Sequence, residues 1–170
     1  MCIRDRTEAG HTPDIVDLYG IDFDPCVRLP DMAQFSGGQM PAEVAEQQQK
    51  VTQAEGIALI HPIWGWSFPA ILKGWMDRVF SYGFAYEAGE RGVRGLLKDR
   101  KTLVISTAGG PEEFYETAGY MDAFIKTCDG IFDVCGINNV EYPCFYGLQV
   151  VGDKGRKEYL QEAYRLGKNF

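Results

Sequence analysis

Between Ile57 and Arg78 the chain reads IALIHPIWGWSFPAILKGWMDR, a run that few folds accommodate. Ile57 to Ile60 is a short unbroken apolar stretch, the kind buried on both faces of a parallel sheet, where alternation is not needed. His61-Pro62 ends it, because proline lacks the donor a ladder requires and disfavours helical space for the residue before it. An aromatic turn follows, Trp64-Gly65-Trp66, and Ser67 and Pro69 stand where a helix start wants a cap and a pre-set φ. Ile71, Leu72, Trp75, Met76 and Val79 then recur at helical spacing as one apolar stripe. Strand, turn and helix make half of a βαβ unit. In open α/β sheets ligands sit at the carboxyl ends of such strands, so the aromatic turn is the expected place for a flat ligand.

The rest of the chain repeats the alternation. Strands are expected at Asp14 to Leu18, Thr102 to Thr107 and Val140 to Phe145, with Ile57 to Ile60 as a central one. Helices are expected from Pro41 to about Ala54, from about Tyr115 to Cys135 with Gly136 as stop, and from Asp153 onward. Asp153 is predicted to cap that last helix, with Leu160, Ala163, Tyr164 and Gly167 on its apolar face. Thr7 to His11 reads as the end of a helix closed by Gly10. Residues 21–40 show no period and are punctuated by prolines and glycines, which predicts an ordered surface excursion. Residues 80–101 form a Gly-rich charged connection holding Tyr82, Phe84 and Tyr86. Strands alternating with helices predict one α/β domain over residues 1–170 with a doubly wound parallel sheet.

Charge and cysteine usage narrow the function. A net charge of −7 without a Lys/Arg cluster excludes nucleic acid as an expected partner. Five cysteines without a CxxC spacing fit buried thiols in a reducing compartment, and a cytoplasmic address is expected. No apolar run reaches the ~18 residues of a membrane span. The two histidines, His11 and His61, provide no metal spacing, and no nucleophile elbow, P-loop or dinucleotide fingerprint is present. His61 is open to two uses, catalytic base or structural hydrogen-bonder, of which the second is commoner beside a proline at a strand end.

A second ligand-facing turn is expected at Ala108-Gly109-Gly110-Pro111, straight after a buried strand. Glycines there let backbone amides approach a ligand closely, and the helix after it directs further N–H groups the same way. The aromatic residues Trp64, Trp66, Tyr82, Tyr86 and Tyr115 could each serve packing alone. Their clustering in loops after successive element ends favours a binding role.

Taken together, PxWxxxFPAILKGWMDRVFxxGFAY from Pro62 to Tyr86, TAGG at Thr107 to Gly110 and Tyr115 five residues on resemble the flavodoxin-like NAD(P)H:quinone oxidoreductases. That family includes quinone reductases and ancillary subunits of potassium efflux systems. DLYGIDFDP at Asp17 to Pro25 is similar to the segment the family places after its second strand, and the resemblance runs from about Thr7. It implies a flavin, FAD or FMN, bound by Pro62, Ile63, Trp64, Gly65, Trp66, Thr107, Ala108, Gly109, Gly110 and Tyr115. NAD(P)H would be the co-substrate and a quinone-like small molecule the acceptor, with Gly109, Gly110 and Tyr115 as the catalytic donors. A homodimer is implied, with Trp66, Met121 and Tyr86 in the substrate pocket and Tyr86 reaching it from the neighbouring subunit. A membrane transporter partner or a non-catalytic fragment are the alternatives.

This chain departs from the family pattern in several places. Met121 stands where mammalian-type members have a histidine that helps stabilise reduced flavin; loss of one such donor costs ~2 to 4 kcal/mol. Gly65 replaces a second aromatic, which should widen the pocket. The family's first strand and flavin-phosphate loop have no counterpart, and Met1 to Arg6 are unrelated to its pattern. In the sheet order 2-1-3-4-5 the absent strand would lie between Asp14 to Leu18 and Ile57 to Ile60, so an N-terminal truncation with marginal stability is expected.

Overall fold

The computed structural model describes residues 10–90 and 92–170. Its strands are β1 (Ile57–Pro62), β2 (Tyr86–Gly89), β3 (Gly92–Gly95), β4 (Thr102–Thr107), β5 (Val140–Glu141) and β6 (Cys144–Phe145). Its helices are α1 (Ala42–Gln53), α2 (Ala70–Val79), α3 (Glu112–Thr117), α4 (Tyr120–Cys135) and α5 (Gly152–Lys168), with a 3-10 helix at Leu29–Ser36. β1 and β4 pair in parallel over their full length, Ile57 opposite Thr102 and Pro62 opposite Thr107. β5 and β6 pair in succession with the other edge of β4, also in parallel. β2 and β3 form a separate antiparallel hairpin.

Side-chain alternation along β4 divides the interior. Val104 faces a core built with Val44 and Val51 of α1, Leu72, Trp75, Met76 and Val79 of α2, and Phe124, Cys128 and Phe132 of α4. Leu103 and Ile105 face the other way, onto Phe145 and onto Ala163 and Tyr159 of α5. β4 is covered on both faces, as its apolar run predicts. β1 is not. Ile57 and Leu59 are buried while Ile60 is 53% exposed, so the α5 side of this strand is left partly bare among the described residues.

Most expected elements are present, with corrections. Asp14 to Leu18 is not a strand: the segment is irregular, Ile15 is exposed, and β1 has a strand neighbour only on its β4 side among the described residues. Apolar content alone cannot make a strand where no ladder receives it. The last strand is two short pieces, β5 and β6, and the helix expected from Tyr115 is two, broken at Gly119 with φ 69°. Pro69, not Ser67, is the residue before α2, with φ −55° and ψ 144°. Asp153 does not cap α5; it lies in the first turn and pairs with Arg156 at 2.8 Å. The buried face of α5 carries Tyr159, Ala163, Leu166 and Gly167, whereas Leu160 is exposed. The connection at residues 80–101 contains the β2–β3 hairpin. Gly10 has φ 84°; the helix expected before it, at Thr7 to Ala9, and the leader Met1 to Arg6 lie outside the described residues.

The excursion at residues 21–40 is ordered because Arg78 anchors it. Its guanidinium donates to both oxygens of the buried Asp31, at 3.0 and 3.1 Å, to Glu43 at 2.8 Å and to the Asp24 carbonyl at 2.9 Å. Gly74 completes the fit: a Cβ there would lie 2.2 Å from the Pro25 carbonyl oxygen, so only glycine lets this backbone lie against α2. The anchored loop then holds Tyr82, whose N–H donates to Gln34 at 2.8 Å and whose ring stacks on Phe35.

Candidate functional site

The first turn is a two-residue hairpin closed by reciprocal bonds. The Trp64 N–H donates to the Ser67 carbonyl and the Ser67 N–H to the Trp64 carbonyl, both at 3.0 Å. Its central residues, Gly65 and Trp66, have φ 52° and 67°. Positive φ at both positions is what such a turn demands, and a tryptophan there is uncommon. The Trp66 indole lies flat on Tyr120, centroids 4.1 Å apart, and edge-on to Tyr115 at 5.7 Å.

The second turn follows β4 and is braced from both sides. Thr107 accepts from the Ile63 N–H at 2.8 Å, and the Ala108 N–H donates to Phe145 at 2.9 Å. The chain leaving β6 bonds back: Gly147 N–H to the Gly110 carbonyl at 2.8 Å and Leu148 N–H to the Ala108 carbonyl at 3.2 Å. The carbonyls of Thr107, Ala108 and Gly110 are thus taken, while the amides of Gly109 and Gly110 are spared. Among the described residues the N–H groups of Gly65, Trp66, Gly109 and Gly110 have no protein acceptor. The same holds for the hydroxyl of Tyr115, a residue only 7% exposed that packs on Phe114 and Tyr146. A Cβ at Gly110 would sit 3.3 Å from the Tyr115 ring, so the glycine keeps turn and phenol in close register.

These residues fit a flavin. Its pyrimidine edge is rich in acceptors, and the two turns present spare backbone donors and one phenolic donor beside aromatic walls. Buried polar groups are otherwise satisfied in folded chains, and in this set that rule singles out the Tyr115 hydroxyl, since Gly65, Trp66 and Gly109 are exposed and their amides open to solvent or ligand. Among the described residues no group of side chains could hold a metal ion.

Of the residues expected from sequence, Trp66, Gly110 and Tyr115 come together, with Thr107, Ala108 and Gly109 in the adjoining turn. Pro62 and Ile63 lead into the first turn, and the Trp64 ring is largely exposed. Tyr86 does not join this cluster; its aromatic partner is Tyr82. Met121 is buried in the core. Sequence reasoning missed Phe114, Tyr120 and Tyr146. Tyr146 follows β6, the third strand end at this side of the sheet, and that position was the available signal. Burial pushes its phenol up, helped by Cys144 and by Glu116, which accepts its hydrogen bond at 3.2 Å.

Residues 3–167 match the family described as flavodoxin-like fold. An uncharacterized NAD(P)H oxidoreductase of Haemophilus influenzae is 35% identical over 149 residues, covering 86% of this chain and 73% of the relative. The ribosyldihydronicotinamide dehydrogenase [quinone] of Rattus norvegicus is 28% identical over 181 residues, covering 94% of this chain and 78% of its own. Among solved structures, the NAD(P)H:quinone oxidoreductase of Methanothermobacter marburgensis superposes with a TM-score of 0.84 at 33% identity, over 97% of this chain and 85% of that one. Parallel sheet, strand-end turns and sequence agree, and the chain belongs to the flavodoxin-like family, among its NAD(P)H-dependent oxidoreductases.

Proposed function

We propose that this chain is a flavin-dependent NAD(P)H:quinone oxidoreductase. The observation that carries the reading is the set of unpartnered donors, the amides of Gly65, Trp66, Gly109 and Gly110 with the Tyr115 hydroxyl, at the carboxyl ends of β1 and β4. A bound flavin, FMN or FAD, supplies the two-electron chemistry. The protein supplies position and field. Gly109 and Gly110 amides and the Tyr115 O–H are donors held in place at an edge where negative charge grows on reduction, and fixed donors cost no reorganisation at that moment. Trp66 walls the crevice and limits water.

NAD(P)H is the proposed donor and a quinone-like small molecule the proposed acceptor, following the names of the relatives. A homodimer is part of the reading: Tyr86 stands apart from its own chain's cluster, which suits a side chain serving the neighbouring subunit's pocket. The free cysteines Cys26, Cys128, Cys135 and Cys144 suit a cytoplasmic setting. Among the described residues no helix is long and apolar enough to cross a membrane.

The test is the visible spectrum of the purified chain after incubation with FMN or FAD and gel filtration. The expected result is a retained flavin band that bleaches on NADPH and returns on adding a quinone. A colourless protein overturns the reading.

A further inference from the structure

Among the described residues, His61 is a buried titratable side chain near the site that the proposed chemistry leaves unused. It is 5% exposed, with its ring between Phe68 and Phe124 at centroid distances of 4.8 and 5.8 Å. Its Nδ1 lies 2.8 Å from the carbonyl oxygen of Pro62 and its Nε2 lies 3.2 Å from the Ser106 hydroxyl. A carbonyl can only accept, so Nδ1 carries the proton. In the neutral ring Nε2 is then an acceptor, and the Ser106 O–H donates to it. Burial lowers the imidazole pKa, and its hydrogen-bond partners are a carbonyl and a hydroxyl. The group is unsuited to shuttling protons.

The same peptide is gripped at its other end. The Pro62 carbonyl is held by His61, and the N–H of that peptide unit, on Ile63, donates to Thr107 at 2.8 Å. Thr107 follows Ser106, which returns to His61. The circuit therefore runs from His61 through the Pro62–Ile63 peptide to Thr107 and back through Ser106. It joins the residue leading into one turn, Ile63, to the residue that opens the other, Thr107.

We infer that His61, fixed as its Nδ1–H tautomer by Ser106, is a positioning residue that sets the two turns in register for the flavin. The inference rests on the functional reading for its ligand but not for its geometry. His61 touches no substrate and acts through the Pro62–Ile63 peptide. The bare alternative is core packing, which a phenylalanine would satisfy equally well between Phe68 and Phe124.

That contrast defines the experiment. In the wild-type chain, ¹⁵N chemical shifts of His61 should report a protonated Nδ1 and an unprotonated Nε2. In His61→Phe the exchange rate of the Ile63 amide should rise roughly fivefold to tenfold, the worth of one hydrogen bond, while Leu59 and Val104 amides keep their protection. His61→Asn, whose side-chain amide can still donate to Pro62, should restore most of the Ile63 protection. Flavin affinity, read by quenching of flavin fluorescence, should fall in His61→Phe and recover in His61→Asn. An Nε2–H tautomer, or an unchanged Ile63 exchange rate in folded His61→Phe, overturns the inference. Normal exchange coupling in a wild-type chain that binds no flavin would instead sink the functional reading and leave the circuit standing.

Discussion

Arg78 and Asp31 meet through two parallel hydrogen bonds at 3.0 and 3.1 Å, with side chains only 3% and 1% exposed. Such a pair is stable because each charge has the other, and a lone survivor has no water to turn to. Arg78→Met leaves the Asp31 carboxylate with the Arg28 N–H at 2.6 Å as its remaining partner. We expect a loss of about 3–5 kcal/mol in urea unfolding. Asp31→Leu should cost less, since Arg78 keeps Glu43 and the Asp24 carbonyl. The double substitution should cost less than Arg78→Met alone, a coupling read directly from a double-mutant cycle.

Gly74→Ala sets two effects against each other. Alanine inside a helix gains about 1 kcal/mol of propensity over glycine. The new Cβ would stand 2.2 Å from a backbone oxygen of Pro25, which cannot swing aside like a side chain. Overpacking of this kind costs typically about 1–3 kcal/mol and more where backbone must move. The clash should win, and the measured unfolding midpoint should fall.

Tyr115→Phe keeps the ring against Trp66, Phe114 and Tyr146 and removes only the hydroxyl. Stability should be nearly unchanged. With Tyr115 in its proposed role as a fixed donor to the edge that gains charge, reduction of bound flavin by NADPH in a stopped-flow instrument should slow by roughly tenfold or more. An unaltered rate would remove Tyr115 from the donor set.

Gly110→Ala acts on the same contact from the other side. Its Cβ would press on the Tyr115 ring at 3.3 Å, tighter than ordinary packing. The sheet is untouched, so the fold should persist while flavin affinity drops by roughly tenfold, about 1.4 kcal/mol.

Acid should expose His61. Burial holds its imidazole below the ordinary 6.5, so the unfolded chain takes up a proton more readily than the folded one. Its contribution is complete above that value, declines as pH falls from 6.5 through the depressed folded value, and is constant beneath it. Urea midpoints of the wild type from about pH 8 to about pH 5 should show this decline, and His61→Phe should lack that part of it.

How far the sequence alone reaches follows from what kind of interaction shapes each part. Ile57 to Ile60, Thr102 to Thr107 and the helix after Pro41 are legible because burial and periodicity are local signals. Asp14 to Leu18 looks like a strand but is none, since pairing depends on a neighbour that no local pattern reports. The break at Gly119 hides inside an otherwise continuous apolar stripe. Glycines bounding the β2–β3 hairpin read as loop punctuation. Of the site, Trp66, Gly110 and Tyr115 were visible as residue types after strand ends. Tyr146 offered only its place after the last strand, and the pairing of His61 with Ser106 was not visible, being a product of the sheet register that sets Ser106 opposite His61.

The bonds from Gly147 to Gly110 and from Leu148 to Ala108 tie the turn after β4 into the sheet's own ladder. This turn is therefore not free to melt ahead of the strands that hold it. On slow heating, release of a bound chromophore and collapse of the sheet should form a single transition, so that the colour of the solution reports the integrity of the fold.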